Sequence, residues 1–252
     1  MFASTPNFRD FGGQITADGR RVRSGQLYRS SRLARLDAEE MQCLLSLQLE
    51  VSCDLRGASE RARNPTPWPA GGAPRELVLD LSADLRAGNA RLMDMIVADP
   101  TARGARAVMM ETYRLLPTNS ASALRLIFGE LLQGHVPMLI HCTAGKDRSG
   151  FVSASILHAL NVMHRDILAD YMASARHVDF AALAATLREQ IRVALNIDLD
   201  DEALAAVNGV APEYLEAAYA SAAEEHGSFD AYLARVGMDE QARTRLRSLL
   251  LE

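Results

Sequence analysis

Positions 141–150 read HCTAGKDRSG, so that Cys142 and Arg148 stand with five residues between them in a short loop. A thiol and a guanidinium so placed suit an oxyanion trap with a sulfur nucleophile at its base. Helix N-termini and neighbouring cations favour the thiolate over the thiol, and Cys142 is expected to be ionised. Arg148 offers a planar fork that holds two phosphate oxygens at once, which lysine cannot copy. Phosphoryl transfer spreads charge over equatorial oxygens, so fixed donors aimed at those oxygens carry most of the catalysis. The main chain of Thr143, Ala144, Gly145 and Lys146 would supply such donors, with Gly145 letting the backbone approach the ligand without a Cβ in the way. Ser149 could donate its hydroxyl to the sulfur and help it leave. His141 is expected to orient the loop through ring hydrogen bonds.

Such a loop needs a strand before it and a helix after it. Val136, Pro137, Met138, Leu139 and Ile140 form a short apolar run bracketed by turn residues, the pattern of a buried strand. From Ser149 the apolar residues recur at helical spacing. The loop therefore ends at a helix N-terminus, whose unpaired N–H groups and dipole attract a dianionic phosphate and stabilise a thiolate.

Read along its length, the chain alternates strand-like and helix-like pieces up to the loop and is helical after it. Helices are expected at 36–47, with Asp37 and Glu40 as a capping box, at 101–116 and 120–132, and then at 165–175, 180–194, 201–207, 212–225, 229–236 and 239–250. A strand is expected at 51–55 and another from 77 that runs into a loop by 84, and 64–72, rich in Pro and Gly, is the clearest loop. The order predicts one α/β domain over 1–252, a central, mostly parallel sheet flanked by helices with a helical C-terminal part.

HCTAGKDRSG resembles the phosphate-binding loop of cysteine-dependent phosphatases, and its Gly-Lys-Asp-Arg core is similar to that of the bacterial tyrosine/serine protein phosphatase family. The resemblance extends to Asn7-Phe8-Arg9-Asp10-Phe11-Gly12-Gly13, Leu27-Tyr28-Arg29-Ser30-Ser31, Asp54-Leu55-Arg56, Asp170-Tyr171 and Pro212-Glu213-Tyr214-Leu215, nearly the whole chain. It implies a cysteine-phosphatase fold, a phosphocysteine intermediate, no metal or other cofactor, and activity on phosphotyrosine that can extend to phosphoserine, phosphothreonine and phosphoinositides. The partners it implies are phosphorylated proteins or phosphoinositides. It also implies a helical lid at 178–210, where Leu183, Leu187, Ile191, Val193 and Leu195 recur at helical spacing; the segment 85–97 is a second candidate cover, with ordinary packing as the alternative for both.

A general acid must protonate the leaving oxygen, and a carboxyl is the usual choice. Asp147 ranks first, against the alternative that it pairs with Arg148 or Arg9. Asp84 ranks second and Asp80 behind it, at the end of an expected strand, against the alternative of a solvated loop carboxylate. Lys146 is either a surface lysine or a reader of an additional phosphate. Arg56 sits at a strand's C-terminal end, where α/β ligands bind, or else serves as a structural partner for Asp10 or Glu60. With Arg9, these cations make one ligand-scale positive spot.

That spot stands out because the chain is acidic, with 27 Lys and Arg against 32 Asp and Glu and a net charge of −5. Nucleic-acid binders show basic faces, and none is visible. Three cysteines, an odd number without paired spacing, argue against a disulfide framework and for a reducing compartment. Cys43 and Cys53 are expected to fill the core, with a Cys53–Cys142 disulfide as a less favoured protective device. The six histidines do not pair with cysteines at zinc-ligand spacing. The N-terminus lacks the pattern of a signal peptide and no apolar run reaches 18 residues, making cytoplasm the default, with export by another route left open. Sulfur transfer, arsenate reduction and non-catalytic phosphate binding also use such loops; the arginine, the serine after it and the intact nucleophile favour phosphate ester hydrolysis.

Overall fold

The structure, a computed structural model, describes residue 2 and residues 4–81, 89–177 and 180–252, with the side chains of 180–183 left aside. Asp84 and the first part of the 85–97 segment lie outside the described residues.

Five strands form one sheet: β1 (Arg9–Asp10), β2 (Leu27–Ser30), β3 (Val51–Asp54), β4 (Arg75–Val78) and β5 (Met138–His141), in the order β1-β2-β5-β3-β4. Only β1 runs antiparallel; β2, β5, β3 and β4 are parallel. The central strand β5 pairs Met138 with both Leu27 and Val51, and its four residues are all buried. Parallel strands covered on both faces need continuous apolar runs, which is why Met138-Leu139-Ile140 shows no alternation. The loop that follows β5 opens at the carboxyl end of the sheet, where open α/β sheets hold ligands.

Helix α1 (Ala38–Ser46) begins on Asp37, and both halves of the expected capping box are formed. Helix α2 (Ala58–Arg63) is a short turn after β3, and α3 (Ala90–Ala98) and α4 (Ala102–Arg114) start on Asn89 and Thr101 side-chain caps. Helix α5 spans Leu116–Leu132, four residues longer at its start than the sequence suggests, because Pro117 lies in its first turn, where a missing N–H costs nothing. Helix α6 (Arg148–Ala159) leaves the loop into the core, followed by α7 (His164–His177), α8 (Phe180–Leu195), α9 (Asp201–Asn208), α10 (Pro212–His226), α11 (Phe229–Arg235) and α12 (Glu240–Leu250).

Three expectations need correction. Strand β4 spans Arg75–Val78, starting two residues before the expected Leu77 and giving way to the loop after two residues of the expected run. Cys43 is exposed, with Leu44 beside it taking the buried face of α1; Cys53 is a core residue as expected. On α8, Leu187 and Ile191 are buried while Val193 is exposed. In α3, Leu92 and Ile96 are buried core residues, so this part of 85–97 is ordinary packing. Among the described residues no helix is long and apolar enough to cross a membrane.

Candidate active site

Cys142 follows β5 directly and is 2% exposed. Its Sγ receives the Gly145 N–H at 3.2 Å and lies 3.5 Å from the Ser149 Oγ, the hydroxyl expected beside it. The chain can turn back onto the sulfur because Gly145 has φ +72°. A Cβ there would come within 2.6 Å of the main chain of Ser30 and Ser31. The glycine is thus required by close approach to the end of β2. Among the described residues, the N–H groups of Thr143, Ala144 and Asp147 have no main-chain acceptor, which leaves them for an anion.

Arg148 opens α6 with its side chain 3% exposed. Glu60 of α2 holds it on two nitrogens, Oε2 to Nη1 at 2.6 Å and Oε1 to Nη2 at 2.8 Å, and Nη1 also reaches the Leu55 carbonyl at 3.3 Å. Glu60 further accepts from the Gly57 N–H at 2.9 Å and from the Thr143 hydroxyl, so one carboxylate ties α2, the loop and the guanidinium together. Burial alone would raise its pKa; the Arg148 hydrogen bonds and charge, with Thr143 and Gly57, overcome this and bring it down to about 2. From the sequence alone, Glu60 is expected only as an alternative partner for Arg56. A glutamate three residues past Gly57, at the carboxyl edge of the sheet, was the available signal.

Asp147 pairs with neither Arg148 nor Arg9. Its Oδ1 accepts the Tyr113 hydroxyl at 2.7 Å and lies 3.1 Å from the Lys146 Nζ. Tyr113 and Tyr171 are joined oxygen to oxygen at 2.7 Å. Burial first, and the Asp147 charge second, push both phenols well above their ordinary pKa, so both keep their protons. Tyr113 spends its one proton on Asp147, which makes Tyr171 the donor to Tyr113. Lys146 is not a surface lysine: it is 1% exposed, and Nζ donates to the carbonyls of Val207 at 3.0 Å and Gly209 at 2.9 Å, at the end of α9.

The positive spot expected from Lys146, Arg148, Arg56 and Arg9 is divided among separate partners. Arg56 is bound by Asp54 (2.6 and 2.8 Å) and by the Asn64 carbonyl at 2.6 Å, not by Asp10 or Glu60. Arg9 joins Asp170 at 2.9 Å; burial first, and the charge of Arg29 second, lower its pKa to about 10 despite Asp170. Asp10 holds a turn instead, accepting from Gly12 N–H at 2.8 Å and Gly25 N–H at 2.6 Å. The ring hydrogen bonds expected of His141 are not formed: it is wholly buried, Nδ1 is 3.9 Å from Asp54, and neither nitrogen has a partner among the described residues. Burial, with help from Arg56 and against Asp54, lowers its pKa to about 4. Asp80 is exposed and accepts the Ala58 N–H at 3.3 Å. Among the described residues no cluster of His, Cys, Asp and Glu could hold a metal ion.

The site is thus a buried thiol at the carboxyl end of a parallel sheet, with a main-chain N–H and a hydroxyl near its sulfur and a clamped arginine opening the next helix. The chain is 32% identical over 276 aligned residues, 97% of it and 96% of the relative, to the triple specificity protein phosphatase PtpB of Mycobacterium tuberculosis. It is 33% identical over 241 residues, 92% of it and 81% of the relative, to a chain of Cupriavidus necator whose name assigns it provisionally to the tyrosine-protein phosphatases. TpbA of P. aeruginosa, a solved structure, aligns with 79% of this chain and 89% of its own at 18% identity and a TM-score of 0.28, too slight a likeness to argue from. The family model described as "Tyrosine phosphatase family" matches residues 1–252, and this chain, from its first strand to its last helix, belongs to that family.

Proposed function

We propose that the chain hydrolyses phosphotyrosine, extending to phosphoserine and phosphothreonine, through a phosphocysteine at Cys142. The observation that carries this reading is the sulfur itself, with the Gly145 N–H at 3.2 Å and the Ser149 hydroxyl at 3.5 Å. Both are donors that stabilise a negative sulfur before attack and when it leaves. In the first step the Cys142 sulfur bonds to phosphorus as the bond to the ester oxygen breaks. Asp147 gives its proton to that oxygen, and the alcohol or phenol departs. In the second, water attacks phosphorus, its proton passes to Asp147, and the S–P bond breaks to release inorganic phosphate and the thiolate. Arg148 and the loop amides hold the equatorial oxygens throughout. Asp84 remains the second candidate for the acid. His141 supports the loop as a neutral spacer at the end of β5.

The name of the M. tuberculosis relative, triple specificity, favours a substrate range wider than phosphotyrosine, and the resemblance of the motifs makes phosphoinositides the second reading. One experiment addresses both. Radiolabelled phosphotyrosine peptide, phosphoserine peptide and phosphoinositide are each turned over and quenched in acid. Label is expected on Cys142 with the phosphotyrosine peptide and none with Cys142→Ser. Turnover surviving in that variant would sink the covalent reading.

A further inference from the structure

We infer that Arg29 and Asn7 are positioning residues that turn the amides of the phosphate loop toward the bound phosphate; this rests on the reading of the loop as a phosphate site. In a trans peptide the C=O of one residue and the N–H of the next point in opposite directions. Fixing a carbonyl on one side of the loop therefore fixes the following N–H on the other.

Three loop carbonyls are fixed in this way. The Gly145 carbonyl accepts from Asn7 Nδ2 at 2.5 Å and from Arg29 Nη2 at 2.9 Å. The Lys146 carbonyl accepts from the same Arg29 nitrogen at 3.3 Å, and the Thr143 carbonyl from the Arg32 N–H at 3.3 Å. The N–H groups aimed the opposite way are those of Lys146, Asp147 and Ala144. The inference places them on the side of the Gly145 N–H, which donates to the Cys142 sulfur.

The anchors are themselves held in a closed circuit. Arg29 is wholly buried and pairs with Asp170 at 2.7 Å; the other Asp170 oxygen takes Arg9 at 2.9 Å; and Arg9 returns to the Asn7 side-chain oxygen. Burial would raise the Asp170 pKa, but Arg29 and Arg9 hold it below the ordinary range. Arg29 Nε has no partner among the described residues. A buried guanidinium that leaves one donor unmatched while two loop carbonyls share another is placed by the loop, not by its own best pairing. Gly145, pressed against the main chain of Ser30 and Ser31, closes the same joint, because β2 carries Arg29.

Arg29→Lys keeps the charge and loses the planar fork. Asn7 has φ +67°, so Asn7→Gly removes the donor in a backbone that glycine tolerates. Each variant is made alone and on Cys142→Ser, and its melting temperature is taken first; if Arg29→Lys does not fold, Asn7→Gly decides. Binding of inorganic phosphate to the Cys142→Ser forms is measured by calorimetry, and kcat by hydrolysis of aryl phosphates whose leaving groups span several pKa values. The expected result is phosphate binding weakened ~10-fold or more and kcat lowered ~10²-fold, as for a misaligned oxyanion donor. The slope of kcat against leaving-group pKa should stay as in the parent, since these amides meet the equatorial oxygens. Folded variants that bind phosphate and turn over like the parent overturn the inference, as does an altered slope. The phosphate titration needs no turnover, so the inference can fail while the covalent reading stands, or the reverse.

Discussion

Glu60 grips Arg148 by both terminal nitrogens, at 2.6 and 2.8 Å, across 88 residues of chain. The guanidinium proposed to meet the phosphate is thereby fixed before substrate arrives, and an arginine free to turn would lose part of its advantage to reorganisation. Glu60→Gln is expected to lower kcat/KM for aryl phosphates by ~10- to 100-fold, the cost of a misplaced group near the chemistry. The same bond sets an acid limit. A glutamate brought down to about 2 contributes its grip fully above its ordinary pKa near 4.5 and loses it as pH falls toward 2. Steady-state kinetics check the first expectation; unchanged kcat/KM in Glu60→Gln would show that Arg148 needs no clamp.

This pair also shows how far the sequence could be read. The loop was legible because its residues are contiguous: Cys142, Gly145, Arg148 and Ser149 lie within one turn and one helix start. Asp37 with Glu40 was legible for the same reason, a local hydrogen-bond pattern between residues three apart. Glu60 was not, because its partner comes from tertiary packing of α2 against the loop. Arg56 was misassigned for a related reason. Asp10 and Glu60 looked available, while Asp54, two residues away on the same strand end, takes it in the fold. Cys43 and Val193 sit among apolar neighbours in sequence, yet one helix face cannot bury them all.

Tyr113 and Tyr171 form a proton-bearing chain that ends on Asp147, the proposed acid. When Asp147 holds a proton it can donate back to Tyr113, and the chain reverses without any heavy atom moving. Removing the Tyr113 hydroxyl therefore alters the acid without touching the sulfur. Tyr113→Phe and Asp147→Asn are both expected to slow esters of high-pKa alcohols more than activated aryl phosphates, Asp147→Asn by ~10²-fold or more. The measurement is kcat across leaving groups. Equal losses for all esters in Asp147→Asn would move the acid role to Asp84.

Lys146 joins the loop to the Val207 and Gly209 carbonyls at the end of α9, whose orphan acceptors and negative dipole end suit a cation. This tie supports reading α9, part of the lid segment that the resemblance implies, as a proposed cover for the site. Lys146→Met should loosen α9 and expose the thiol, with faster amide exchange in 201–208 and faster oxidation of Cys142 by peroxide, while the global melting temperature moves little. Exchange and oxidation rates equal to those of the parent would leave the segment as ordinary packing.

His141 sets the pH dependence of stability from beneath the loop. Burial holds its imidazole neutral, with a pKa near 4 against 6.5 in the unfolded chain. Between these values the unfolded chain binds the extra proton, so stability falls as pH drops, by up to about 1.4 kcal/mol per pH unit. The carboxylates Glu60, Asp54 and Asp170 lose their contributions only below their own ordinary values, leaving the window from 6.5 to 4.5 to histidines. His158 and His177 are also lowered, chiefly by burial, and add to the slope in the same direction. His141→Asn should therefore flatten the fall in urea midpoint between pH 6.5 and 4.5 without abolishing it. A slope identical to the parent's would mean that His141 takes up its proton in the folded protein as readily as in the unfolded chain, against its burial beside Arg56.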